Sequence, residues 1–269
     1  MIWIFSLVFC ISVILLGVQW TALQNDRMRD ILENWDIENA SLELTKIHQD
    51  LFRRESDWKP VLAEEGVTVS VRWSQKELVG KNVRTYRTVS RLHANQISVD
   101  RILELLDGGF LTEELWYKED YQGGERLREL LMPGLASCWV PRYISDLKFP
   151  PFKLRDFVYL LMRKELEPTE FARVTEKSIV RQAIIGYRSI PYLDGSESRV
   201  RAQQFPSLDR ITLCEDGEII WEHIMVFHLG GNFPLWLTNL LVKPAARVLL
   251  NEALNMRKHS SPKSLPSAA

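Results

Sequence analysis

The stretch ITLCEDGEIIWEHIMVFHLGGNFPLWLTNLLVKPAARVLLNEALNM, residues 211–256, decides how the chain is read. Ile211–Leu213 and Ile219–Leu229 are strand-like runs. Between them lies Glu215-Asp216-Gly217, and Asp-Gly is a strong hairpin signal because both turn positions tolerate positive φ. Gly230-Gly231-Asn232-Phe233-Pro234 follows, and Pro at a first helical position gives up no needed N–H. From Leu235 to Met256 the polar residues Asn239, Lys243, Arg247, Asn251 and Asn255 fall four apart. They draw one slanted polar stripe on a helix that is otherwise largely apolar. Such a helix covers a large greasy surface. It is either a core helix on a sheet or a lid over an apolar cavity.

The segments before it favour a sheet. Val67, Val69, Val71 and Trp73 alternate with Thr68, Ser70 and Arg72, the period of a half-buried strand. Lys81–His93 is a second extended run. Ser98 or Asp100 caps a short helix through Leu106, which Gly108-Gly109 ends. Arg126–Leu131 and Ala136–Arg142 read as short strands around Pro133-Gly134, with Tyr121–Glu125 as a short loop before them. Phe157–Met162, Ile179–Arg188 and Arg199–Phe205 are further strands. The paired prolines of Lys148–Phe152 exclude regular structure there. Many short strands joined by turns, with helices at the two ends of the sequence, predict an α+β fold built on one antiparallel sheet.

Composition narrows the function classes. The 269 residues carry 34 Lys+Arg against 35 Asp+Glu, which argues against an electrostatic nucleic-acid binder. Hydrophobic residues make up 46%, enough for a sizeable core. The cysteines are Cys10, Cys138 and Cys214, with no CxxC pair. Zinc-ribbon and thioredoxin-like readings therefore fail, and buried free thiols are expected at Cys138 and Cys214.

Met1–Val18 contains no charged residue, and as a helix it would be roughly 27 Å long, close to the thickness of a hydrocarbon core. No basic n-region precedes it and no small-x-small cleavage site follows. The expectation is an uncleaved single-pass anchor at residues 1–20, a linker at 21–40, a cytosolic domain at 41–258 and a disordered tail at 259–269. A cleaved signal peptide is the competing reading.

Catalytic motifs are not evident. The sequence has no G-x-S-x-G elbow, P-loop or GxGxxG. His223 and His228 are five apart on a strand and face opposite sides of the sheet, as do the neighbours Glu222 and His223. No enzyme activity, metal or cofactor is expected from these spacings.

Four segments in order resemble the StAR-related lipid-transfer (START) domain. They are a helix followed by Trp58-Lys59 and Glu65-Gly66-Val67-Thr68-Val69; an extended strand leading into Ser98–Gly108; Pro150-Pro151-Phe152-Lys153-Leu154-Arg155-Asp156-Phe157-Val158; and Gly230-Gly231-Asn232-Phe233-Pro234-Leu235-Trp236-Leu237. The last resembles the family's Gly-Gly-x-x-Pro-x-Trp-Leu lead into the final helix. Glu114-Leu115-Trp116-Tyr117-Lys118 departs from the family's Trp-Asp around the third strand.

The resemblance implies a helix-grip fold, a curved antiparallel sheet wrapping the C-terminal helix over a tunnel for one lipid. The expected function is binding a phospholipid or sterol and carrying or presenting it between membranes. The alternative is a helix-grip enzyme acting on a hydrophobic substrate. The mouth would lie between Lys148–Arg155 and the last helix. Phe149, Phe152, Arg155, Trp236, Leu237, Leu240 and Leu241 are the candidate lipid-binding residues. Arg155-Asp156 is either a cavity pair or, for Asp156, a local backbone acceptor. Pro244 is a candidate hinge in the helix. The expected partners are a lipid and, through the anchor, a membrane.

Overall fold

The computed structural model describes residues 44–45, 48–49, 58–73, 84–108, 121–146, 154–171, 176–190, 200–201, 203–204, 207–228 and 240–260. Among the described residues eleven strands form one sheet. The long ones are β1 (Lys59–Glu64), β2 (Val67–Trp73), β3 (Arg84–His93), β4 (Tyr121–Glu129), β5 (Ser137–Ser145), β6 (Arg155–Glu165), β7 (Ile179–Ser189), β10 (Ser207–Cys214) and β11 (Glu218–His228). Short strands β8 (Val200–Arg201) and β9 (Gln203–Gln204) lie off the main path, β8 beside β6 and β9 beside β11. The order is β1-β2-β3-β11-β10-β7-β6-β5-β4, antiparallel along its length. Helix α1 (Val99–Leu106) covers one end of the sheet, and α2 (Val242–Ser260) lies across β1, β2 and β3.

Turn chemistry fixes the hairpins. Glu65 and Gly66 both have positive φ, 47° and 77°, the signature of a two-residue turn that matches strand twist. Gly217 takes φ 81° in the β10–β11 turn, and the resulting register sets Leu213 opposite Ile219.

The two faces of the sheet bury different sets. Val67, Val69, Tyr143, Phe157, Tyr159, Leu161, Ile185, Ile211 and Trp221 belong to the concave core with Ala246, Leu249, Leu250, Ala253 and Leu254 of α2. These α2 positions recur at three- and four-residue spacing, one helical face. Lys243 and Arg247 are exposed on the other side, and Arg247 Nη1 donates to Glu64 at 2.9 Å. On the convex face Val158, Leu160, Met162, Ile184, Leu208 and Ile224 pack with Leu44. Gly186 makes room there: a Cβ on it would lie 2.3 Å from Leu44 Cδ1.

Ser98 caps α1, its hydroxyl accepting from Arg101 N at 3.1 Å. At the other end Asp107 accepts from Ser137 Oγ at 2.6 Å and Trp139 Nε1 at 3.1 Å, which fastens α1 to β5.

Several expected boundaries move. β1 was not anticipated; it is a half-exposed edge strand with Pro60 beside a register shift, so no alternating pattern marks it. β4 begins at Tyr121, where a loop was expected, because an irregularity between Tyr121 and Gly123 accommodates the Gly123-Gly124 segment at the opposite edge. The expected strand Arg199–Phe205 is two short pieces, and β10 starts at Ser207 rather than Ile211. α2 starts at Val242 and ends at Ser260. Leu240 is helical and Leu241 a turn just before it, so Pro244 lies close behind a turn, and residues 235–239 of the expected helix lie outside the described residues.

Cys138 and Cys214 are buried free thiols. Burial pushes the Cys138 thiol up to about 11. No described helix is long and apolar enough to cross a membrane. The run Met1–Val18, on which the anchor expectation rests, lies outside the described residues, as does the tail beyond Ser260.

Candidate functional site

The concave face carries a polar cluster that only the strand register assembles. In the β10–β11 ladder Asp209 stands opposite His223, and Arg210 opposite Glu222. Side chains alternate along each strand, so the first pair projects to one face and the second to the other.

Asp209 is buried and fully used. Oδ1 accepts from Trp221 Nε1 at 2.6 Å and from His223 Nδ1 at 2.9 Å, and Oδ2 accepts from Tyr187 Oη at 2.5 Å. Burial alone would raise the Asp209 carboxyl. The electrostatic interaction and hydrogen bond of His223, with the bonds from Tyr187 and Trp221, outweigh it and hold the group below its usual range. An ionised carboxylate can only accept, so Nδ1 of His223 is the donor in this bond.

Aromatic rings run from this cluster along the sheet. Trp221 and Tyr187 each lie 6.5 Å from the His223 ring, Tyr187 is 5.9 Å from Tyr159, and Tyr143 is 5.8 Å from Phe157. These Trp, Tyr and Phe side chains are buried in the concave core. Burial raises the Tyr159 hydroxyl beyond the usual phenol range, with Asp209 adding to it, and pushes Tyr86 up to about 12.

The convex face holds a separate charged group. Glu222 accepts from Arg87 Nη2 at 2.5 Å and Arg210 Nε at 2.6 Å. Arg210 Nη1 lies 3.3 Å from His48 Nε2, on the helical segment that packs against this face. Burial, then the neighbouring Arg210, lowers His48 to about 3. His48 is therefore neutral, and Nε2 accepts from Arg210.

Of the sequence-expected site residues, Arg155 is buried at the start of β6, with the parity of Phe157 and Tyr159 on the concave side. Burial lowers its guanidinium. Asp156 points to the other face, where Arg142 Nε and Nη2 reach its two oxygens at 3.1 and 3.2 Å. Arg155-Asp156 is thus no pair. Leu240 is exposed and Leu241 half-buried at the start of α2. Phe149, Phe152, Trp236 and Leu237 lie outside the described residues. Glu222 and His223 do point apart, as their adjacency required. Asp209, Tyr187 and Trp221 were not singled out from the sequence, because Asp209 fell between two expected strands. No group of His, Cys, Asp and Glu among the described residues could hold a metal ion.

The strand order, the curved sheet and the C-terminal helix over its concave face define a helix-grip fold, that of START domains. The structure superposes on human StAR-related lipid transfer protein 5 with a TM-score of 0.62 at 15% identity, covering 83% of this chain and 97% of that one. It superposes on the lipid transfer and protein localization domain of human StarD13 at 0.55 and 17% identity, covering 82% and 96%. A STAR-related lipid transfer protein from Xanthomonas axonopodis matches at 0.53 and 20% identity, covering 76% and 99%. No protein-family model matches the chain, and no curated protein matches it in sequence.

Proposed function

We propose that this protein binds a single lipid between the concave face of its sheet and α2, and carries or presents it between membranes. The observation that carries the reading is the aromatic wall on the concave face, Tyr143, Phe157, Tyr159 and Tyr187, leading to the satisfied polar cluster at Asp209. A mostly apolar surface with a few fixed polar groups suits an amphiphile, and each buried CH₂ contributes about 0.8 kcal/mol. The lipid-transfer names of the fold neighbours agree with it. Phe149, Phe152, Arg155, Trp236, Leu237, Leu240 and Leu241 form the mouth in this proposal, and Met1–Val18 anchors a cytosolic domain to one membrane.

Native mass spectrometry of the full chain tests it. One lipid mass should accompany the purified protein or be taken up from vesicles. A protein that carries none and acquires none overturns the reading.

The Asp209–His223 pair favours a second reading. A carboxylate that orients an imidazole through Nδ1 leaves Nε2 able to take a proton, as a general base does. In that reading the chain hydrolyses an ester-bearing hydrophobic substrate. Turnover of a long-chain p-nitrophenyl ester, lost in His223→Gln, would support it; no turnover above buffer would remove it.

A further inference from the structure

We infer that the bound lipid is an uncharged lipid alcohol, held hydroxyl-first by His223 with Thr88 and Ser90 behind it. This rests on the lipid-binding reading and narrows it to a ligand class.

Register places the groups together. Thr88 on β3 stands opposite His223, and Ser90 opposite Trp221, so both β3 hydroxyls share the concave face with the Asp209 cluster. Neither hydroxyl oxygen has a hydrogen-bond partner, although Thr88 is 3% exposed and Ser90 0%. Buried polar groups are nearly always paired, so two unpaired hydroxyls on neighbouring rungs mark a place where a polar group belongs. His223 is the most accessible member of the cluster, with 16% of its side chain exposed. Its Nδ1 is committed to Asp209, which leaves Nε2 for a ligand.

This set matches a hydroxyl group. A hydroxyl donates to Nε2 and accepts from a Ser or Thr hydroxyl at once. Thr88 and Ser90 are covered, and a single χ1 rotation each presents the oxygen to a ligand already on His223. A phosphate fits poorly. It would bring a second anion beside the buried Asp209 carboxylate, where like charges interact strongly. Among the described residues His223 is the one ionic partner of Asp209. Of the arginines on β3 and β10, Arg87 and Arg210 face the other side and are held by Glu222, and Arg91 pairs with Glu218; Arg84 shares the face of Thr88 but lies four residues away, about 13 Å along the strand.

Arg155 is the buried cation nearer the loop before β6. It precedes Leu161 by six residues, and Leu161 pairs with Tyr187, so it lies about 20 Å along the strand from that rung. A phospholipid with its phosphate on Arg155 would send acyl chains to Thr88 and Ser90 and leave both hydroxyls unpaired. A lipid alcohol inserted head-first satisfies them.

The test uses the full-length protein and phosphatidylcholine vesicles carrying one tritiated lipid at a time. The four probes are cholesterol, cholesteryl methyl ether, dioleoylglycerol and dioleoylphosphatidylcholine. The protein is re-isolated and its bound label counted. Retention of cholesterol or of dioleoylglycerol is expected, and which one is retained identifies the source of the hydroxyl. The methyl ether, which cannot donate to Nε2, and phosphatidylcholine should be retained roughly tenfold less. Thr88→Val with Ser90→Ala should lower alcohol retention by a similar factor without lowering the melting temperature. Equal retention of the ether, or of phosphatidylcholine, overturns the lipid-alcohol assignment and leaves lipid binding standing. Retention of none of the four overturns the lipid-binding reading itself. The ether comparison is made on the unmodified protein, so it decides the matter even if the double variant does not fold.

Discussion

Asp209 and His223 face each other across β10 and β11, Nδ1 2.9 Å from Oδ1, while the next residues along the two strands, Arg210 and Glu222, face each other on the opposite side of the sheet. Two adjacent rungs of one hairpin therefore hold two separate buried polar groups. One looks toward α2 and the proposed ligand. The other looks toward the helical segment around His48. Buried charges are tolerated only when paired, and both groups are paired through neighbours on β3, β7 or β11.

Removing the Asp209 carboxylate should be costly. Asp209→Ala leaves the Trp221 indole N–H, the Tyr187 hydroxyl and His223 without their acceptor. A loss of about 3–5 kcal/mol in urea unfolding is expected, as for breaking a buried pair. The carboxyl is held below its ordinary value in the folded state. Its contribution is thus present above about pH 4 and is lost as pH falls through the folded value. Asp209→Asn should flatten that acid limb of the stability curve; an unchanged limb would show that Asp209 is not its source.

His48 should make the fold sensitive to mild acid. Its folded value is lowered to about 3, against about 6.5 in an unfolded chain. Between these values the unfolded state binds the proton and the folded state does not. Stability is then full above about pH 6.5 and falls with decreasing pH, by about 2 kcal/mol between pH 6.5 and 5. His48→Gln keeps a side-chain acceptor for Arg210 and should remove most of this slope. Urea midpoints at pH 7, 6 and 5 measure it. Identical slopes in both proteins would place the effect elsewhere.

The contact between Gly186 and Leu44 should show strong coupling. A Cβ at position 186 would overlap Leu44 Cδ1 at 2.3 Å, and Leu44 is fully buried. Gly186→Ala should cost about 1–3 kcal/mol by overpacking, and Leu44→Ala about 2–5 by leaving a cavity. In the double variant the new methyl enters the vacated space. Its cost should fall short of the sum by 1 kcal/mol or more, about what contacting residues show. Additive costs would mean that the helical segment does not dock through this contact.

Much of the helix-grip frame is legible in the sequence, because alternation marks β2 and turn glycines mark the hairpins. Edge strands are harder. Among the described residues β1 and β4 each pair with one neighbour, so half-exposed residues, Pro60 and Gly123-Gly124 suit them and erase the pattern. The polar cluster could have been found. The Asp216-Gly217 turn fixes Leu213 opposite Ile219, and counting back along that register sets residue 209 against 223. A strand read as beginning at Ile211 starts four residues late and leaves Asp209 out. Which oxygens Asp209 shares, and the hydroxyls of Thr88 and Ser90 left without partners, depend on β3 and β7 packing from far along the chain. No local pattern encodes that.

The mouth proposal makes a prediction that separates it from a general surface effect. Leu240 is 66% exposed just before α2, at the end of the sheet reached by the Lys148–Arg155 loop in the proposal. Leu131 is 97% exposed in the β4–β5 turn, at the other end of β5 from that loop. Neither side chain is in the core, so replacing either with Asp should change stability by less than about 0.5 kcal/mol. Burying a leucine in a bilayer surface is worth about 1.5–3 kcal/mol. If the protein loads with the Leu240 end against the membrane, Leu240→Asp should slow lipid uptake from vesicles by roughly tenfold or more, and Leu131→Asp should leave it unchanged. Uptake followed by stopped-flow fluorescence of a labelled lipid measures both. Equal slowing in the two variants would mean that the protein does not approach the membrane by this end.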